Sequence, residues 1–132
     1  MSLTADLRKI AKKRKQTIQQ AYSSIMFDLA NQMITMSPKD TGAFQANWLA
    51  ALNSGDYTFD KSKTNVSEAD GRLTATLGAL TTNNNFYFTN SLPYAAELEN
   101  GHSDQAPSGV VRVTINDFPQ IVDKRVKEVS KR

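Results

Sequence analysis

Apolar residues recur every three or four positions along the first quarter of the chain. The series runs through Leu3, Leu7, Ile10, Ile18, Ala21, Ile25, Leu29, Met33 and Ile34, with no Pro or Gly among them. That is the period of an α-helix, and it predicts one long helix over 3–36. The stripe lapses at Lys12-Lys13-Arg14-Lys15-Gln16, so the core-facing part is expected at 17–36 and the first two turns are expected to project. Ser37-Pro38 ends the helix, because Pro disfavours the helical region for the residue before it.

Beyond it, Lys39-Asp40-Thr41-Gly42 reads as a turn. Residues 43–52 carry two patterns at once. Phe44, Asn47, Trp48, Ala51 and Leu52 fit a short helix; Phe44, Ala46, Trp48, Ala50 and Leu52 alternate as a strand. A turn or short helix running into a strand reconciles them, since Trp favours strands. Residues 53–71 are a long polar stretch. A loop of that length is uncommon in a compact domain, and a neighbouring subunit is the expected anchor. Residues 72–80 alternate Leu73, Ala75, Leu77 and Ala79 with small polar residues and read as a strand; Phe86 to Asn90 reads as a second strand paired with it across a turn at 83–85. Pro93 to Asn100 reads as a short helix, with Pro in its first turn and Gly101 suited to a left-handed cap. Residues 102–109 are irregular. The β-branched run Val110 to Ile115 competes as a strand with a helical spacing that continues to Val129, and Pro119 opposes one unbroken helix, so a C-terminal helix is predicted from about 117. The sum is an α+β fold. A small, mostly antiparallel sheet is packed by a long N-terminal helix and a C-terminal helix, with a short helix between strands.

At 132 residues and 14.6 kDa, the chain supports a single domain, 1–132. Its 39% hydrophobic and 22% charged residues suit a soluble globular domain. No apolar run nears the roughly 18 residues of a membrane span, and residues 1–6 lack the apolar core of a signal peptide. With no Cys and a single His, thiolate metal sites, disulfides and histidine-based zinc or two-histidine iron sites are excluded. No metal, cofactor or catalytic group is expected. Charge is uneven: residues 1–15 carry +5, residues 121–132 carry +3, and the remainder −5. Basic ends around an acidic middle suit a nucleic-acid footprint, complementary faces that meet in an oligomer, or two solvated helix ends.

Candidate chemistry is thin. His102, Ser103 and Asp104 are consecutive, and neighbours in sequence seldom aim into one triad. Glu97 and Glu99 point roughly 200° apart on a helix, so they form no carboxylate pair. There is no phosphate-binding glycine loop and no EF-hand spacing. Arg8, Lys9, Lys12, Lys13, Arg14 and Lys15 suit contacts with phosphates or an acidic partner, without aromatic residues to stack on bases.

Two stretches carry a resemblance. The first is Leu92-Pro93-Tyr94-Ala95, then Glu99 before Gly101-His102-Ser103, then Gln105-Ala106-Pro107, then Gly109 to Arg112. The second is Ser37-Pro38-Lys39-Asp40-Thr41-Gly42-Ala43-Phe44 with Asn47-Trp48. Together they resemble the tail-completion and tail-terminator family of long-tailed double-stranded-DNA bacteriophages. Lys39 and Ala43 depart from the family pattern, and residues 53–71 match nothing in it. The resemblance implies a non-enzymatic virion protein of the neck, at the tail end proximal to the head, assembled in the host cytoplasm. Its implied partners are further copies of itself in a six-membered ring, the tail-tube protein on one side, and the head-closure or connector protein on the other. Genomic DNA would pass through the lumen without specific readout, and no membrane is involved. The basic ends are then expected at protein contacts or outside the lumen. The alternatives are a nonspecific DNA-binding module, a neighbouring head-closure or adaptor protein, and a hydrolase using Ser103 and His102.

The positions implied at subunit or partner contacts are Asp40, Thr41, Gly42, Trp48, Pro93, Tyr94, Glu99, Gly101, His102, Ser103, Gln105, Pro107 and Arg112. Physical roles accompany several of them. Gly42 and Gly101 permit turns that side chains would forbid, and Pro93 and Pro107 fix the chain direction. Tyr94 and Leu98 share a helix face expected to pack on the sheet. Glu99, His102, Ser103 and Gln105 are expected to form a polar edge.

Overall fold

The computed structural model describes residues 3–131; Met1, Ser2 and Arg132, at the two basic ends, lie outside the described residues. Helix α1 spans Leu3–Met36, 34 residues, and is about 50 Å long. Its buried positions are Ala30 and Ile34, while Leu3, Leu7 and Ile10 stay exposed, so the first turns project as the pattern predicts. Ser37 closes the helix: its Oγ donates to the Met33 carbonyl at 2.6 Å and accepts Trp48 Nε1–H at 2.7 Å.

The two patterns in 43–52 are both used. Helix α2 (Ala43–Ala46) leads through Asn47 and Trp48 into strand β1 (Leu49–Leu52). Strand β2 (Phe86–Thr89) pairs antiparallel with β1, in the register Leu49 opposite Thr89 and Leu52 opposite Phe86. This two-stranded sheet with its helices is the α+β fold read from the sequence.

One element differs. Residues 72–80 form no strand; they belong to helix α3 (Ser67–Ala79), which lies between the strands in sequence and takes over the end of the expected 53–71 loop. The reason lies in the residues before Arg72. Ala69 and Leu73 are buried, with Val66 and Leu77 packed beside them, a spacing of three and four. Glu68 and Asp70 in the first turn suit the positive end of a helix dipole. Leu73 and Leu77 fit either period, but Ala75 and Ala79, which completed the alternation, are exposed. The partner of β2 is therefore β1.

The remaining loop, 53–66, is tied down by contacts within the chain itself. The buried Asn47 side chain donates to the carbonyls of Ala43 (2.8 Å) and Asp60 (2.9 Å) and accepts the Asp60 N–H (2.8 Å). Asp56 accepts the hydroxyl and N–H of Thr58 and pairs with Arg72 at 2.7 Å, while Arg72 Nε–H reaches the Ala50 carbonyl. The Thr58 hydrogen bonds, with Arg72 behind them, lower the Asp56 carboxyl to about 2. A polar composition thus orders the loop through short side-chain-to-backbone turns.

Helix α4 (Ala95–Glu99) ends as expected. Gly101 is left-handed at φ 87°, its N–H bonds the Leu98 carbonyl, and the His102 N–H reaches back to Glu97, a Schellman closure. The β-branched run is helical: α5 (Val111–Asn116) begins before the predicted start at 117 and joins α6 (Phe118–Ser130) through Asp117. Pro119 sits in the first turn of α6, where its missing N–H costs no hydrogen bond. Asp117 accepts from Gln32, and Val129 lies beside Thr17, so α6 runs antiparallel to α1. A bidentate Arg125–Asp28 pair (2.5 and 2.7 Å) fastens the two helices.

Candidate functional site: a cleft built by two distant segments

The two sequence stretches that carry the resemblance meet in space. They form the walls of an open cleft of about 530 Å³, into which Asp40, Thr41, Gly42, Tyr94, His102, Ser103 and Gln105 all face. Gln105 holds the walls together. Its amide oxygen accepts the Lys39 N–H at 2.8 Å, and its amide nitrogen donates to the Lys39 carbonyl at 3.1 Å. Asn90 supplies a second tie, donating to the Phe44 carbonyl at 2.7 Å and accepting the Leu92 N–H. The floor is apolar. Phe44 and Tyr94 lie 6.4 Å apart between ring centres, with Leu98 beside them. Tyr94 therefore packs on α2, not on the sheet.

Each wall is shaped by its backbone. Gly42 precedes α2 at φ 92°, and a Cβ there would collide with the Thr64 carbonyl, so the expected turn needs glycine. The Thr41 hydroxyl accepts the Ala43 N–H at 3.2 Å. On the other wall, Ser103 Oγ accepts the Gln105 N–H at 3.2 Å, and His102 is exposed.

Two positions expected at subunit or partner contacts, Trp48 and Glu99, make contacts within the chain. Trp48 is 3% exposed; its ring stacks on Phe88 at 4.9 Å and 5°, and its N–H is used by Ser37. Glu99 turns inward, and its carboxylate accepts three backbone N–H groups, from Val110 (2.9 Å), Val111 (2.8 Å) and Arg112 (2.9 Å). It thus supplies the cap that starts α5, and this is why the β-branched run becomes helix. Burial pushes the Glu99 carboxyl up, but the three N–H donors and the Arg112 charge outweigh it and hold it below its ordinary value. Gly109 makes that approach feasible. At φ 84°, a Cβ would sit 2.5 Å from the Glu99 carbonyl oxygen and 2.6 Å from Oε2. Pro93, Pro107 and Arg112 are exposed but line no part of the cleft, and Gly101 is half-buried against the Pro107 carbonyl.

Sequence reasoning missed the roles of Asn47, Asn90 and Gly109. Asn47 carried a signal: an amide beside Trp48 in an otherwise apolar segment needs buried partners. Asn90 was read only as the end of a strand, and Gly109 only as part of the motif that carries the resemblance.

The cations Arg8, Lys9, Lys12, Lys13, Arg14 and Lys15 are all exposed, far along α1 from the cleft, and none joins an ion pair among the described residues. At 100° per residue Arg8, Lys9, Lys12, Lys13 and Lys15 lie off the line through Leu3, Leu7 and Ile10, and Arg14 continues that line one turn further on. Among the described residues no cluster of His, Asp and Glu is arranged to hold a metal ion, and no helix is long and apolar enough to cross a membrane. No protein-family model, curated protein or solved structure matches the chain.

Proposed function

We propose that this chain is a structural virion protein of a long-tailed double-stranded-DNA bacteriophage, completing or terminating the tail and forming a ring at the head–tail junction. One observation carries the reading. The two segments that resemble the tail-completion family, about 50 residues apart, are joined wall to wall by Gln105 around a single cleft. The cleft is apolar at its floor, polar at its rim and open to solvent, a chemistry suited to docking protein. On this reading the activity is assembly: copies of the chain meet one another, tail tube lies below and connector above, and DNA passes through the lumen unread.

The test is negative-stain imaging of the purified protein, alone and added to tail tubes. Rings with a central lumen, or caps on tube ends, are the expected result. Particles of neither kind, with no binding to tubes, would overturn the proposal. The unpaired cations of α1 favour one second reading, a nonspecific DNA-binding module. It requires DNA affinity that falls steeply as salt rises.

A further inference from the structure

We infer that the cleft receives the first three turns of α1 from a second copy of the chain. This inference rests on the ring reading and names the contact that would build the ring. The occupant is identified by apolar match, charge and reach.

The apolar match comes first. Leu3, Leu7 and Ile10 are 75%, 57% and 52% exposed, spaced at i, i+4 and i+7 on a projecting helix. This is the anchor pattern of a helix laid in a groove. The groove offers Phe44, Tyr94 and Leu98. The chain exposes 8344 Å², against about 6,900 Å² for a compact monomer of this mass. The excess is comparable with what two standard interfaces cover on one chain, about 800 Å² each.

Charge comes second. The projecting turns carry unpaired cations from Arg8 to Lys15. Asp40 lines the cleft, and the segments that build it carry further exposed carboxylates at Glu97 and Asp104 against the exposed cations Lys39 and Arg112. Two α1 ends laid side by side would set like charges together, so a symmetric pairing of these turns is disfavoured.

Reach comes third. The cleft opens just past the C-terminal end of α1, at Pro38, and the apolar turns lie at the other end. About 40 Å of continuous helix separates Ile10 from Pro38. The helix cannot fold back on its own cleft, so the contact must join different copies. A patch at one end meeting a different patch at the other is a head-to-tail contact, which closes into a ring or extends as a filament.

The chain has no cysteine, so introduced pairs report without background. Under mild oxidation, the Ile10→Cys/Tyr94→Cys double variant is expected to give a ladder of multimers, while each single variant stays monomeric on a non-reducing gel. Dimers from Ile10→Cys alone would overturn the inference in favour of symmetric helix pairing. As a second measurement, Leu7→Asp is expected to weaken self-association at least tenfold with helical circular dichroism unchanged, since Leu7 is exposed. Lys12→Glu/Lys13→Glu is expected to weaken it also, with recovery on adding Asp40→Lys/Asp104→Lys. Association unchanged by Leu7→Asp, or a monomer at every concentration, would overturn the docking. So would charge variants that alter only DNA retention. Rings that persist without the cross-link and tolerate Leu7→Asp would remove the docking alone and leave the neck reading standing.

Discussion

Glu99 offers a quantitative test of how the second wall is built. Its carboxylate is the shared acceptor for the N–H groups of Val110, Val111 and Arg112, at 2.8–2.9 Å. Glu99→Ala leaves the start of α5 without those partners. A hydrogen bond to a charged group contributes about 1.5–3 kcal/mol, and a lost helix cap costs about 0.5–2 kcal/mol. Glu99 is half-buried, and water can reach part of the freed helix end, so the lower part of those ranges applies. We expect a loss of about 2 kcal/mol for Glu99→Ala. Glu99→Gln keeps one oxygen to serve Val110 and Val111 and loses the bond to Arg112, so about 1 kcal/mol is expected. The assay is urea unfolding followed by Trp48 fluorescence. The midpoint should fall in the order wild type, Glu99→Gln, Glu99→Ala, at constant slope. For a chain of this size, about 2 kcal/mol corresponds to a fall in Tm of roughly 6–10 °C. If Glu99→Ala lies within about 0.5 kcal/mol of wild type, the usual scatter of surface substitutions, the capping argument is wrong.

Three further outcomes follow from the same geometry. Asn47→Ala removes the buried amide that grips Asp60, so a loss of about 2 kcal/mol and new proteolytic cuts within 53–66 are expected; a loop that stays uncut would refute its internal anchoring. Asp56 and Glu99 both have lowered folded-state values, so the stability each adds is complete above its ordinary value, 3.8 or 4.5, and is lost as pH falls; for Asp56 the loss runs from 3.8 to about 2. An acid titration should therefore show loop 53–66 loosening over that window, and Asp56→Asn should remove its share of the transition. Gln105→Ala unlinks the cleft walls at Lys39, so faster amide exchange at 39–42 and at 103–106 is expected with secondary structure intact; unchanged exchange would mean that the walls are held otherwise.

Long periodic runs were the most legible part of the fold. Helix α1 was readable because its stripe runs for many turns without Pro or Gly, and the mixed pattern over 43–52 resolved because the chain uses both periods in turn. Leu73 and Leu77 misled because residues four apart satisfy a period of two as well as one of 3.6. Deciding between them required Ala69 and Val66, which lay inside what read as loop. The run Val110 to Ile115 was ambiguous for another reason: its helix depends on a carboxylate eleven residues upstream, a tertiary effect that no local pattern carries. The site was half legible. Spacing could not reveal that Gln105 and Lys39 touch, but both lie in the segments singled out beforehand. The resemblance placed Trp48 and Glu99 at subunit or partner contacts; in the structure Trp48 is buried, and the half-buried Glu99 carboxylate is taken up by the start of α5.

The proposed head-to-tail meeting of copies is tested by the protein's solution mass, measured by light scattering across protein concentration at low and high salt. A species of several subunits is expected, six times 14.6 kDa for the closed ring, weakening as salt screens the cations of α1 from the carboxylates of the cleft segments. A mass of 14.6 kDa at every concentration and at both salts would contradict it.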